Sequence, residues 1–179
     1  MQQVWKAQMK QSSGTNEEPM TYDQYTYMKE KADKGDILVT KDQSTLGVNH
    51  GHAAIVYEDS AYTVEHTGEG TSDKYSIYRW RNRYTMRDYY PTGTTATTRA
   101  KAANYAYSNL TGWEYSALPS CTNSSKLNCA TLVWKAFNYA GVTLQKTGAG
   151  GCTPICFVEG SPGTTYWSGV NWSGGEHTW

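Results

Sequence analysis

The strongest periodicity in the chain lies over 128–141. Cys129, Leu132, Val133, Ala136, Phe137 and Ala140 recur at three- and four-residue spacing, which predicts one apolar stripe along an amphipathic helix. Asn128 suits the N-cap and Gly141 the position just past the end. Nearer the start, Thr21-Tyr22-Asp23-Gln24 reads as a capping box, predicting a helix that runs to Lys34 and stops at Gly35. Tyr25, Met28 and Ala32 make its modest apolar face.

Between these helices the period changes from helical to alternating. The pattern predicts a buried strand over 35–40, a loop over 41–51 and a strand over 52–57. A turn over 58–61 and a strand over 62–66 follow, close enough for a hairpin. A fourth strand is predicted over 75–80 and a fifth over 84–90. Thr98 is placed to cap a helix over 99–109 that buries Ala103, Ala106, Tyr107 and Leu110 and stops at Gly112. A Ser/Thr/Asn-rich loop over 113–127 leads into the Cys129 helix. After Gly141 the chain is rich in Gly and Thr, predicting long surface turns pinned by Trp167, Trp172 and Trp179. Residues 1–20 are polar and read as a short helix or a loosely packed arm. A helix, a cluster of antiparallel strands and two helices make the fold class α+β. The length of 179 residues suits a single domain over 1–179.

Composition narrows the partners. Sixteen basic residues balance sixteen acidic ones, so nothing points to nucleic acid or an anionic membrane surface. No apolar run approaches the roughly 20 residues of a membrane span, so stable membrane insertion is not expected. Fifteen Tyr and seven Trp stand against two Phe on a Ser-, Thr-, Asn- and Gly-rich background. Such amphipathic aromatics suit an extracellular surface or a groove for a polar ligand. The chain shows no export signal of its own. The four cysteines, Cys121, Cys129, Cys152 and Cys156, include no C-x-x-C pair and no nearby partner histidines. A zinc site, and any metal or organic cofactor, is not expected.

Cys129 is the candidate nucleophile. The first turn of a helix, with its unpaired N–H groups and dipole, favours a thiolate. Cys129 could equally be the first core residue of its stripe, because free cysteines are among the most buried residues. A working thiol needs a base, usually His, oriented by a third group. His52 opens an apolar strand directly after Gly51, a rigid place for an imidazole; His50 reads as a loop residue and His177 as terminal. Glu65 and His66 are adjacent candidates for the third group, and only one can share a face with His52. If Tyr57 pairs with Tyr62, Glu65 lies diagonal to His52. A turn one residue longer or shorter puts His66 there instead. Even-length turns favour Glu65.

These residues resemble a family. Gly35-Asp-Ile-Leu38, His52-Ala-Ala-Ile-Val56, Glu65 and Asn128-Cys-Ala-Thr-Leu-Val-Trp-Lys-Ala-Phe137 look like the permuted papain-like branch of the NlpC-type cysteine peptidases, related to the lecithin–retinol acyltransferases. In that branch the His strand precedes the Cys helix, as it does here. The resemblance covers roughly residues 33–145. It implies a permuted papain-like fold, an antiparallel sheet or barrel packed against the Cys helix. It also implies Cys129 as nucleophile, His52 as base and Glu65 as orienting group, with His66 the alternative. Ala130 and Asn128 depart from the Ser and the aromatic residue common beside the Cys in such proteins. The implied activity is hydrolysis of amide bonds in short, cell-wall-type peptides, in a secreted or cell-envelope setting. The rival functions are acyl transfer on lipid esters or amides and a catalytically silent peptide-binding module. A disulfide from Cys121 to Cys152 or Cys156 would tie the loops beside the site.

Overall fold

The computed structural model describes residues 22–40, 44–45, 48–49, 51–81, 83, 86–91, 93–117, 125–144 and 167–171. The elements run α1 (Tyr22–Lys31), β1 (Ile37–Thr40), β2 (Ser44–Thr45), β3 (Val48–Asn49), β4 (His52–Glu58), β5 (Tyr62–Glu65) and β6 (Asp73–Ser76). A 3-10 turn (Ile77–Trp80), β7 (Met86–Pro91), α2 (Ala96–Asn109), α3 (Cys129–Tyr139) and β8 (Trp167–Asn171) complete them. Six strands form one antiparallel sheet in the order β6-β5-β4-β1-β7-β8, and β2 and β3 pair separately. The fold is α+β. Among the described residues no helix is long and apolar enough to cross a membrane.

Alternation along β1 and β4 sends side chains into two cores. On one face Ile37, Val39, Ala53, Ile55 and Val64 pack against α2 and α3, with Phe137 fully buried between them. On the other face Leu38, Ala54 and Val56 pack against Tyr25, Met28 and Ala32 of α1 and against Ile77 and Trp80. The central strands are therefore covered on both sides, which is why β1 and β4 read as continuous apolar runs. Removing the Phe137 ring would cost about 3–5 kcal/mol.

Several boundaries differ from the sequence pattern, each for a local reason. α1 ends at Lys31 rather than Lys34, because the next free donors turn to carboxylates. Asp33 N–H bonds Asp36 Oδ2 at 3.0 Å and Lys34 N–H bonds Asp59 Oδ1 at 2.6 Å. Gly35 then adopts φ 88°, and a Cβ there would fall 2.5 Å from the Arg99 backbone, so only glycine lets the chain pass α2. The loop over 41–51 contains the β2–β3 pair. α2 starts a turn earlier than expected, because the Thr95 hydroxyl, not Thr98, caps it by accepting from Thr98 N–H at 3.1 Å. Its buried face is Ala102, Ala103, Ala106 and Leu110. Tyr107 lies outside it and stacks on Tyr57 at 4.4 Å. The fourth strand stops at Ser76, whose hydroxyl accepts from Tyr78 N–H and opens the 3-10 turn. The fifth strand forms as β7 and pairs with β1, and β8 extends the sheet where surface turns were expected. The expectations for residues 1–20, Trp172, Trp179, and the pairing of Cys121, Cys152 and Cys156 lie outside the described residues.

Candidate active site

The site is built at the start of β4. Gly51, at φ 71°, delivers the chain to His52, the first residue of the strand and fully buried. The hairpin register then decides which neighbour meets it. In the body of the ladder Ile55 faces Val64 and Val56 faces Thr63, the register expected from Tyr57 opposite Tyr62. At the turn, however, Glu58 pairs with Tyr62. The loop is thus 59–61, an odd length, with Ser60 at φ 55°. Unaided, that loop would bring His66 onto the face of His52. A bulge at Tyr57 absorbs the extra residue and returns Glu65 to it.

His52 Nε2 and Glu65 Oε2 lie 2.5 Å apart, both side chains buried. The other carboxylate oxygen, Oε1, accepts from the Thr63 hydroxyl at 2.7 Å and from Trp80 Nε1–H at 3.3 Å. The Trp80 ring also stacks on the His52 ring, 5.4 Å between centroids at 25°. Every oxygen of Glu65 is therefore used. Thr63 shares Glu65's face by simple alternation, a relation readable in the sequence. Trp80 carries no such signal, because the 3-10 turn that brings it inward replaces a strand.

The third group comes from the helical layer. Asn128, in extended conformation, caps α3: its Oδ1 accepts from Thr131 N–H at 2.7 Å and from the Thr131 hydroxyl at 2.8 Å. Cys129 follows as the first helical residue, buried and 4% exposed. Its sulfur is a neighbour of His52 and acts with Glu65 to hold a proton there. Burial pulls the His52 pKa down, but the Cys129 and Glu65 interactions outweigh it and raise it to about 9. Yet His52 Nδ1, the nitrogen not used by Glu65, makes no bond of hydrogen-bonding geometry. The two are neighbours aligned more loosely than a hydrogen bond. Burial pushes Glu65 up, and the hydrogen bonds and charge of His52, with Thr63 and Arg79, bring it down to about 2.

His66 is turned to the opposite face. Its Nε2–H donates to the Trp113 carbonyl at 3.0 Å, its Nδ1 accepts from Gly68 N–H at 3.3 Å, and its ring meets Tyr115 edge-on. Burial holds its pKa below the usual range, so it is neutral at pH 7. It fastens the loop after β5 to the segment that follows α2. Among the described residues no group of three or more His, Cys, Asp or Glu could hold a metal ion. Compared with protein-family models, with curated proteins and with solved structures, the chain matches none.

Proposed function

We propose that the chain is a cysteine hydrolase of amide bonds, with Cys129 as nucleophile, His52 as base and Glu65 as the group that orients His52. The observation that carries this reading is the arrangement around one imidazole. Nε2 is committed to a buried carboxylate, and Nδ1 is left without a partner beside the thiol at a capped helix start. The commitment of Nε2 fixes which nitrogen is offered to sulfur, as an orienting carboxylate does in a triad. In this mechanism His52 holds the thiol proton, sulfur attacks the carbonyl, and negative charge develops on the carbonyl oxygen. The Cys129 N–H, which helix geometry leaves without an intrahelical acceptor, faces that charge. His52 then gives the proton to the leaving amine, and water releases the acyl group. No step calls for a metal or organic cofactor.

The order His52, Glu65, Cys129 along the chain is that of a permuted papain-like domain, and we assign the fold to that group. Short peptides of the cell-wall type, met at the cell envelope or outside it, are the proposed substrates. The test is incubation with purified peptidoglycan fragments and, in parallel, with acyl lipids, followed by mass spectrometry. Cleaved peptide amides that vanish with Cys129→Ala support the reading. Deacylated lipid alone replaces it with the acyltransferase reading.

A further inference from the structure

The residues from Lys74 to Arg87 include Lys74, Arg79, Arg81, Arg83 and Arg87 but no acid. The 3-10 turn gives this charge a geometry. With three residues per turn, Ile77 and Trp80 fall on one side, and both are buried, whereas Tyr78 and Arg79 are exposed. Arg79 lies over the Tyr75 ring with its guanidinium 4.2 Å from the centroid, and Arg81 over the Tyr78 ring at 3.9 Å. Tyr78 is itself braced edge-on by Tyr25.

A guanidinium lying on a ring has one face covered and its flexibility reduced, and its edge N–H donors still point outward in a fork that matches a carboxylate. Among the described residues neither Arg79 nor Arg81 has a carboxylate or carbonyl on that fork. The two flank Trp80, which stacks on His52 and donates to Glu65. The Arg79 charge is felt at Glu65 itself. Trp80 thus ties the segment that carries both guanidinia to His52 and Glu65.

We propose that Arg79 and Arg81 form a carboxylate-binding subsite that selects peptides bearing a free carboxylate a few residues from the bond to be cut. The proposal rests on the amidase reading for its substrate, so binding is tested apart from turnover. The Cys129→Ala protein is titrated with N-acetyl-Ala-Ala-Ala, with its C-terminal carboxamide, and with glycerol 3-phosphate, followed by NMR.

The expected result is a preference of about tenfold for the carboxylate over the carboxamide. Arg79→Gln with Arg81→Gln should abolish it and leave carboxamide binding unchanged. Arg79→Lys with Arg81→Lys should retain part of it, since charge remains but the fork is lost. In the active protein the Gln pair should raise KM about tenfold for a carboxylate-bearing substrate and leave KM for its carboxamide unchanged. No binding, no preference, or a preference that survives the Gln pair overturns the subsite. Tighter binding of glycerol 3-phosphate also overturns it, assigning the ridge to phosphate headgroups. Failure of the amidase reading shows instead as absent turnover with the binding preference intact.

Discussion

Two buried clusters of ionisable groups lie at opposite ends of β1, and the protein treats them in opposite ways. At one end, beside Thr40 and its partner His52, Glu65 has a ring nitrogen, a hydroxyl and an indole N–H on its two oxygens, and its pKa falls to about 2. At the other, Asp36 accepts from Asp33 N–H with Oδ2, but its Oδ1 has no hydrogen bond. Arg99 Nε is 3.9 Å from that oxygen. Burial dominates there and lifts Asp36 to about 6, although the Asp33 N–H, the neighbouring Asp88 carboxyl and Arg99 all pull it down. Burial is common to both. Donors that saturate the carboxylate make the difference, and a saturated carboxylate in a dry site is what an orienting group requires.

The sharpest way to break the comparison is to uncharge the saturated end. Glu65→Gln should lower kcat/KM by about 10²- to 10⁴-fold, because the imidazolium loses its counter-charge. It should also cost about 3–5 kcal/mol of stability, the penalty of half a buried pair. Steady-state kinetics and urea unfolding measure the two.

Stability against pH separates the clusters next. Glu65 titrates lower when folded, so its contribution is present above about 4.5 and is lost as pH falls toward about 2. His52 titrates higher, so its contribution is full below about 6.5 and is lost as pH rises through about 9. Asp36 also titrates higher, so it costs stability as pH rises from about 3.8 through about 6. Unfolding midpoints across this range should show that middle decline.

Asp36→Asn should flatten the decline and raise stability at pH 7 by about 1–2 kcal/mol, because it keeps the Asp33 acceptor without the buried charge. A variant less stable than the parent at pH 7 would mean that Arg99 compensates the charge fully. His66→Gln should cost about 1–3 kcal/mol through its lost bond to Trp113 but leave kcat/KM nearly unchanged. If His66→Gln damages activity more than Glu65→Gln does, Glu65 is not the orienting group. The smallest effect is expected from Trp80→Phe. It keeps the ring on His52 and removes one donor from Glu65, costing about 1 kcal/mol while Thr63 still holds Oε1.

The saturated end was legible in the sequence because its parts sit on strong periodic signals. Cys129 begins the clearest helical stripe, and His52 and Glu65 sit on strands whose alternation sets their faces. The register was reached from an even turn, whereas the protein uses a three-residue loop and a bulge at Tyr57 that restores the same parity. No pattern of apolar residues reports a bulge. Trp80 was hidden for a related reason: Ser76 ends the strand through its own hydroxyl, a local bond that outcompetes the alternating pattern. The Asp36 cluster was invisible because it joins β1, β7 and α2, and no periodicity reports that β7 pairs with β1.

The chain order of the site has a consequence for biosynthesis. A polypeptide emerges N-terminus first and domains fold largely as units. His52 and Glu65 lie on one hairpin and can pair as soon as β4 and β5 close. Cys129 arrives 77 residues after His52 (129 − 52), on the helix that completes the larger core. On the proposed reading the base and its orienting group are thus synthesised before the nucleophile, and the thiol meets His52 only when α3 docks. On that reading, a nascent chain that ends between residues 66 and 128 has made His52 and Glu65 but not Cys129, and so has no assembled site with which to cut its neighbours on the ribosome.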